Sequence, residues 1–234
     1  EFGSDDLVYG AIRRFYRYPA TDEILLIWPP PSGLNPNLEP ESGFEVELGA
    51  ELVMRNVFAS GRVFQQFMKD EIIYDSTSGS NINLEETRRA GFDLSLEWEL
   101  TKSVRSGASY GYVRSTIEGG TFVGSRIPLV AESLLRLFLE FRPVDSFLLT
   151  LGGSYVGETF MGSDFTNSKD QLDSYWLHDL NLNYDLSNGI TFFAGVENLF
   201  NEKYVSTAFL DWQGLPGFYA GSGRSGRLGL RYTF

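Results

Sequence analysis

The sequence contains no cysteine, one histidine and no apolar run of the length that a membrane-spanning helix needs. Such a helix requires about 20 mostly apolar residues, so any membrane crossing must be made by strands. Without cysteine there is neither a disulfide nor a Cys-ligated metal site, which suits an oxidising periplasm without requiring it. Basic residues are also few, at 19 against 31 acidic ones. The net charge of -12 argues against a nucleic-acid partner and against docking from solution on an anionic membrane.

The chain also lacks an initiating methionine and an apolar leader, since it opens Glu1-Phe2-Gly3-Ser4. These four residues resemble either a cloning scar or a natural turn, and we favour the turn. For an exported protein, we expect an N-terminal part that precedes this sequence.

Aromatic residues are plentiful, at 15% of the chain, and many lie in segments that alternate apolar with polar side chains. The last segment is typical: Leu228, Leu230, Tyr232 and Phe234 would share one face of a strand, opposite Arg227, Gly229, Arg231 and Thr233. Outer-membrane barrel strands have this pattern, with the apolar row facing lipid and the polar row facing a wet lumen.

Tight polar turns recur near residues 54–57, 101–103, 143–146 and 186–189, with loops predicted at 17–42, 77–82, 117–127, 161–172 and 201–221. These boundaries predict about ten antiparallel strands. A soluble sandwich also has alternating strands, but its strands usually have about five or six residues, whereas these stretches have about 10 to 15. Aromatic residues near the turns are consistent with an interfacial girdle: Trp98, Phe141, Phe147, Tyr184, Tyr232 and Phe234. We therefore predict an all-β, transmembrane antiparallel β-barrel.

Five motifs, in order along the chain, resemble the C-terminal half of TonB-dependent outer-membrane receptors. The most specific is Val196-Glu197-Asn198-Leu199-Phe200-Asn201-Glu202-Lys203-Tyr204, followed by the terminal strand. A second, Leu34-Asn35-Pro36-Asn37-Leu38-Glu39-Pro40-Glu41, is similar to the family's Asn-Pro-x-Leu-x-Pro-Glu stretch. The others are Phe15-Tyr16-Arg17-Tyr18-Pro19, Phe67-Met68-Lys69-Asp70-Glu71-Ile72 and Gly91-Phe92-Asp93-Leu94-Ser95-Leu96-Glu97.

The resemblance implies that residues 1–234 form about ten strands of a larger, 22-strand barrel in the bacterial outer membrane. The plug and the first strands would lie outside this sequence. An open sheet edge in lipid is costly, so the wall must be completed either by other residues, which we favour, or by self-closure. The implied function is TonB-dependent uptake of a scarce nutrient, most often an iron-siderophore or similar metal complex.

By the same resemblance, the expected partners are outer-membrane lipid, the missing plug and barrel half, TonB through that part, the barrel assembly machinery and a small-molecule or metal-complex substrate. Leu228, Leu230, Tyr232 and Phe234 would form the assembly signal. The alternative is a self-closed ten-strand barrel that acts as an adhesin or scaffold.

Candidate binding residues are aromatic side chains of the long loops, which could stack on a planar ligand, pack within the loops or contact the plug: Trp28, Phe209, Trp212, Phe218 and Tyr219. We expect no enzyme and no cofactor. An omptin-like protease would need His178, but adjacent His178 and Asp179 point to opposite faces of a strand and cannot form a dyad. Residues 221–226 match Gly-x-Gly-x-x-Gly without the strand-to-helix context of a nucleotide site. Asp164, Asp170 and Asp173 fit no EF-hand spacing, so no metal site is predicted.

Overall fold

The computed structural model describes residues 6–26, 33–186 and 189–233. Their elements are β1 (Leu7–Arg17), α1 (Thr21–Ile24), β2 (Leu25–Leu26), β3 (Gly33–Leu34), β4 (Glu41–Met54), β5 (Val57–Asp75), β6 (Ser80–Thr101), β7 (Val104–Ile117), β8 (Ser133–Phe141), β9 (Phe147–Val156), β10 (Tyr175–Leu186), β11 (Ile190–Glu197), β12 (Val205–Leu210), β13 (Pro216–Ala220) and β14 (Ser225–Tyr232). Among the described residues, no helix is long and apolar enough to cross a membrane.

Ten of these strands form one antiparallel sheet in the order β1-β4-β5-β6-β7-β8-β9-β10-β11-β14. Each strand of this sheet therefore pairs with the strand before it and the strand after it in the chain, once the small strands inside the loops are left out. The predicted ten-strand antiparallel arrangement is confirmed. Within the described part, the sheet is open, with β1 and β14 at its two edges.

The two faces of the sheet differ in chemistry, as the alternation predicts. One face carries exposed apolar side chains on strand after strand, including Leu48 at 57% exposure, Leu94 at 52% and Leu228 at 79%. The opposite face carries paired charges, such as Arg62 on β5 beside Asp93 on β6. An apolar face of this extent is unfavourable in water and is stabilised in hydrocarbon, so it is the lipid-facing side and the charged face lines the lumen.

Short turns join the strands at one end, and five outer loops join them at the other. These loops, numbered 1 to 5, are residues 18–40, 76–79, 118–132, 157–174 and 198–224. The predicted loops 3 to 5 are each too short at one end or both. The pattern of apolar and polar residues in the loops did not predict α1 or the small strand pairs β2–β3 and β12–β13.

The aromatic side chains near the short turns contact one another across the strands. Phe141 meets Phe147 edge to face at 6.5 Å between ring centroids, and Phe147 meets Tyr184 at 6.3 Å. Trp98 and Tyr232 lie on the same lipid-facing side, at 44% and 65% exposure. This arrangement is the predicted girdle; Phe234 lies outside the described residues.

Buried apolar side chains occur in the outer loops and the strand ends next to them, because the wall itself turns its apolar face to lipid. One cluster contains Leu84, Ile117, Ile127 and Phe165, and the other contains Met161, Leu172, Ala208 and Leu210. In loop 1, Glu23 accepts a hydrogen bond from Arg17 Nη1 at 2.7 Å, which lowers the pKa of its carboxyl. The outer loops are thus packed structures above the wall.

Candidate functional site

Loop 5 is tied to the wall by Asn198, the third residue of the most specific sequence motif. Its backbone has a positive φ of 50°, and its side chain is buried. The backbone N–H donates to Asp179 at 2.9 Å, while Nδ2 donates to the carbonyls of Glu202 at 2.9 Å and Ser222 at 3.0 Å. Since asparagine tolerates the left-handed conformation and offers both donor and acceptor, it joins the two ends of the loop at one point.

The hairpin β12–β13 of loop 5 docks on loop 4 through Gly162. The N–H of Gly162 donates to the carbonyl of Ala208 at 2.8 Å, and its own carbonyl accepts from Leu210 at 2.9 Å. The ring of Phe209 covers Gly162 so closely that a Cβ there would lie 2.2 Å from it. Ala208 is fully buried at this contact. Loops 4 and 5 therefore form one packed unit.

Between these loops lies a cavity of about 910 Å³, which is the candidate site and is called the loop cavity below. Its two most prominent rings are those of Tyr175 and Tyr204, whose centroids are 4.3 Å apart with an angle of 33° between the planes. The lining residues are Met161, Lys169, Asp170, Gln171, Leu172, Asp173, Ser174, Tyr175, Glu202, Lys203, Tyr204, Val205, Pro216 and Phe218.

Strand parity places one lining residue of the loop cavity on the lumen side. Tyr175 is the first residue of β10, and it shares a face with Leu177 and Asp179, the face that also carries the charged side chains of the lumen. The cavity combines three carboxylates with two amines: Asp170, Asp173, Glu202, Lys169 and Lys203. Stacked rings among mixed charges suit a ligand with aromatic and polar groups.

Of the predicted loop aromatics that the structure describes, Phe209 and Tyr219 contact each other, but the set does not gather at one site. Phe218 lines the loop cavity. Phe209 packs on Gly162 and meets Tyr219 edge to face at 6.3 Å. Because successive strand residues point to opposite faces, both rings lie on the face of the hairpin opposite to Phe218. Trp212 is 68% exposed beyond the end of β12. Trp28 lies outside the described residues.

Sequence reasoning missed the tyrosine pair. Tyr204 ends the motif 196–204, and Tyr175 precedes the polar row of its strand, so each was visible separately. Their contact depends on the path of loop 5, which no local pattern reveals. Tyr204 also packs on Gly221, where a Cβ would lie 2.1 Å from the ring. Gly221 thus serves tyrosine packing, and the glycine-rich stretch 221–226 leads into strand β14 and not into the helix that a nucleotide site needs.

His178 and Asp164 are held by ring contacts and by backbone hydrogen bonds, respectively. His178 faces the lipid side, with its ring 6.0 Å from that of Trp176 and 5.1 Å from that of Phe200. Asp179 faces the lumen, so the side chains of His178 and Asp179 point to opposite faces and form no dyad. Asp164 is buried and accepts hydrogen bonds from the N–H groups of Ser168 and Lys169 at 3.0 Å each. Within the described residues, no group of three or more possible metal ligands occurs.

The lumen wall carries ion pairs between neighbouring strands. Glu47, only 3% exposed, accepts from Arg13 on β1 and from Arg62 on β5, the latter at 2.8 Å. Arg62 also donates to Asp93 on β6 at 2.8 Å. Adjacent strands of the wall thus supply the partners of these charges.

The terminal strand presents its apolar row outward, as expected. Leu228, Leu230 and Tyr232 are each at least 65% exposed on the lipid-facing side of β14. Phe234 lies outside the described residues. The role of this row as an assembly signal stays a prediction.

Long antiparallel strands with one lipid-facing side and loops packed above a polar lumen define the wall of an outer-membrane β-barrel. Residues 3–199 match the family model described as TonB dependent receptor-like, beta-barrel. The chain belongs to the TonB-dependent receptor β-barrel family, and its location is the bacterial outer membrane.

Relatives agree with this assignment. The chain is 25% identical to the iron-regulated outer membrane virulence protein of Vibrio cholerae, over 89% of this chain and 36% of that protein. It is 27% identical to the metal-pseudopaline receptor CntO of Pseudomonas aeruginosa, over 86% of this chain and 30% of that protein. The chain thus spans about a third of the length of these relatives.

The fold is similar to that of a solved receptor. The ferric-catecholate import receptor Fiu from Escherichia coli K12, in its closed form, superimposes with a TM-score of 0.75 at 19% identity. The match covers 100% of this chain and 34% of that receptor.

Proposed function

We propose that this chain forms about ten strands of the C-terminal wall of an outer-membrane receptor for TonB-dependent uptake, together with outer loops that bind the substrate. The observation that carries the proposal is the loop cavity, whose lining includes Tyr175 on the lumen side of β10. A cavity of about 910 Å³ lies within the range of small-molecule sites. It therefore has the size and the position of a first binding site for an entering ligand.

The proposed substrate is an iron-siderophore or a similar metal complex. The loop cavity offers a pair of stacked tyrosines, the ring of Phe218 and side chains of both charges. Rings favour planar or aromatic groups, whereas amines and carboxylates can bind the polar groups of a chelator. The names of two matched proteins, a metal-pseudopaline receptor and a ferric-catecholate import receptor, support this class of cargo.

Completion of the barrel is part of the proposal. The edges at β1 and β14 leave one row of backbone groups each without a strand partner among the described residues. In lipid such rows must be paired. We propose that the remaining wall and a plug are supplied by residues outside this sequence, that TonB acts through that part, and that the assembly machinery recognises the terminal strand. The open order gives no support to the self-closed adhesin or scaffold.

The test is uptake of radioactive iron by cells that express the whole receptor as their only route for a given complex. Tyr204→Ala removes one ring of the stacked pair, and we expect at least a tenfold loss of apparent affinity for the complex. Uptake by the unaltered receptor should stop when a protonophore removes the energy for TonB.

The matched control is Phe200→Ala, another exposed loop 5 aromatic, which lies on the lipid-facing side beside His178. It should leave affinity unchanged. Equal affinity in the Tyr204 variant and the control would argue against the loop cavity as the binding site. Uptake that persists with the protonophore would argue against TonB-dependent transport.

A further inference from the structure

A row of four side chains crosses the lipid-facing side of the sheet near its outer end. Arg14 on β1 pairs directly with Phe44 on β4, Phe44 pairs with Phe67 on β5, and Phe67 pairs with Arg88 on β6. Because directly paired residues point to the same face, all four side chains lie next to one another on the lipid-facing side. We call them the Arg–Phe row.

The position of the row relative to the membrane follows from strand geometry. Arg88 lies ten residues from Trp98, the girdle residue near the short-turn end of β6. At about 3.3 Å per residue, these positions are about 33 Å apart along the strand, and a tilt of about 40° makes this about 25 Å of membrane depth. The apolar band of such barrels is about 25 Å tall. Arg88, at one end of the Arg–Phe row, therefore lies where the hydrocarbon ends and the outer headgroups begin.

The two arginines are exposed and keep their charge uncompensated. In the part of the chain that the structure describes, neither forms an ion pair. Arg88 lies 5.9 Å from the ring centroid of Phe67. With its amide oxygen turned toward the guanidinium, Gln65 accepts hydrogen bonds from Arg88 at 2.6 Å, so the partner of Arg88 is neutral. A cation on the lipid-facing side is costly unless it reaches an anion at the interface.

The neighbouring charges do not supply that anion. Lys69 pairs with Glu86 at 3.4 Å, so these two neutralise each other. Glu118 accepts a hydrogen bond from Thr116 at 2.5 Å. Glu86 and Glu118 border the row without contacting either arginine within ion-pair distance.

The surface between the arginines has an apolar floor. The rings of Phe44 and Phe67 stack with centroids 4.9 Å apart and an angle of 24°. These rings and both arginines line a depression of about 570 Å³. A guanidinium binds phosphate through two parallel hydrogen bonds, and flat rings offer contact to an acyl chain. One amphiphile with a phosphate and an acyl chain would fit both parts.

We propose that the Arg–Phe row binds the phosphate group of an outer-leaflet membrane lipid. The site is separate from the loop cavity, since it lies on the outer side of the barrel. It does not depend on which substrate the receptor transports.

The test is a titration of the whole receptor, purified in neutral detergent, with phosphorylated lipid A, followed by native mass spectrometry. Arg14→Gln together with Arg88→Gln should weaken binding at least tenfold. Enzymatically dephosphorylated lipid A should bind the unaltered receptor at least tenfold more weakly than the phosphorylated form. Raising the salt concentration should weaken binding of the phosphorylated lipid.

The matched control replaces Arg55 and Arg142, two exposed arginines at the short-turn end, with glutamine. Binding in this control should equal that of the unaltered receptor. Equal binding by the Arg14/Arg88 variant and the control would overturn the proposal, as would equal binding of dephosphorylated lipid. If the double variant does not insert, Arg14→Gln and Arg88→Gln are titrated separately. A severalfold loss of affinity for phosphorylated lipid A in either one supports the site. Unchanged affinity in both overturns the proposal.

Discussion

Gly91 shows how closely neighbouring strands constrain a single residue of this wall. A Cβ at this position would lie 2.2 Å from the carbonyl oxygen of Tyr112 on β7 and 2.9 Å from the ring of Phe64. The backbone oxygen belongs to the sheet and cannot move away without breaking strand pairing. Gly152, also on the lumen side, has its nearest heavy atom at 3.9 Å. Two glycines that both lie on the lumen side of a wall strand thus differ in the space available for an alanine methyl group.

We predict that Gly91→Ala lowers the free energy of unfolding by about 1 to 3 kcal/mol, the usual range for overpacking. Gly152→Ala should change it by less than about 0.5 kcal/mol, as expected where no contact is forced. The measurement is urea unfolding of the receptor in lipid vesicles, followed by tryptophan fluorescence. An equal effect of both substitutions would contradict the close approach at Gly91.

At the scale of elements, the outer loops depend on contacts that link one loop to the next. The hairpin β12–β13 is fixed on loop 4 by two backbone hydrogen bonds at Gly162 and by the ring of Phe209. The loop cavity lies beside this contact, and Met161 and Leu172 belong both to the cavity lining and to the buried cluster. Docking of the hairpin therefore shapes the cavity.

We predict that Gly162→Val undocks the hairpin, because its Cβ would lie 2.2 Å from the Phe209 ring. Limited proteolysis should cut loops 4 and 5 at least tenfold faster, while the wall keeps its folded, heat-modifiable mobility on gels. Gly217→Ala is the control, since the nearest heavy atom to its Cβ is 3.7 Å away. Unchanged proteolysis of the Gly162 variant would show that the docking does not hold the loops.

At the scale of the whole molecule, the stability of the sheet depends on which solvent each face meets. Leu94, on the lipid-facing side of β6, lies between Arg88 and Trp98 and hence near the middle of the apolar band. Ser109 on β7 lies on the lumen side and is exposed. The same charged residue should therefore have opposite consequences at these two positions.

We predict that Leu94→Arg costs about 2 to 4 kcal/mol of folding free energy in a bilayer, the range for arginine near the midplane of a barrel. Ser109→Arg should cost less than about 1 kcal/mol, because its charge stays hydrated. Unfolding in vesicles measures both values. A similar cost at the two sites would mean that the face of Leu94 does not meet lipid.

The sequence by itself determined the strands of the wall and the polarity of their faces, as for Leu94 and Asp93. Side-chain direction alternates with every residue of a strand, so a pattern of period two is readable without knowing any partner. Short polar turns marked the hairpins, and hence the order of the strands. Motifs such as 196–204 carried the family resemblance, and Asn198 within that motif proved to fasten loop 5 to the wall.

Only the tertiary structure decided which side chains meet. The stacking of Tyr175 on Tyr204, the docking of Phe209 on Gly162 and the alignment of Arg14 with Arg88 across four strands all join residues far apart in the chain. Such contacts depend on register and on the path of each loop, which no local periodicity encodes. A strand is readable from the alternation of consecutive residues, whereas a binding site forms only when the fold brings together residues that are far apart in the chain.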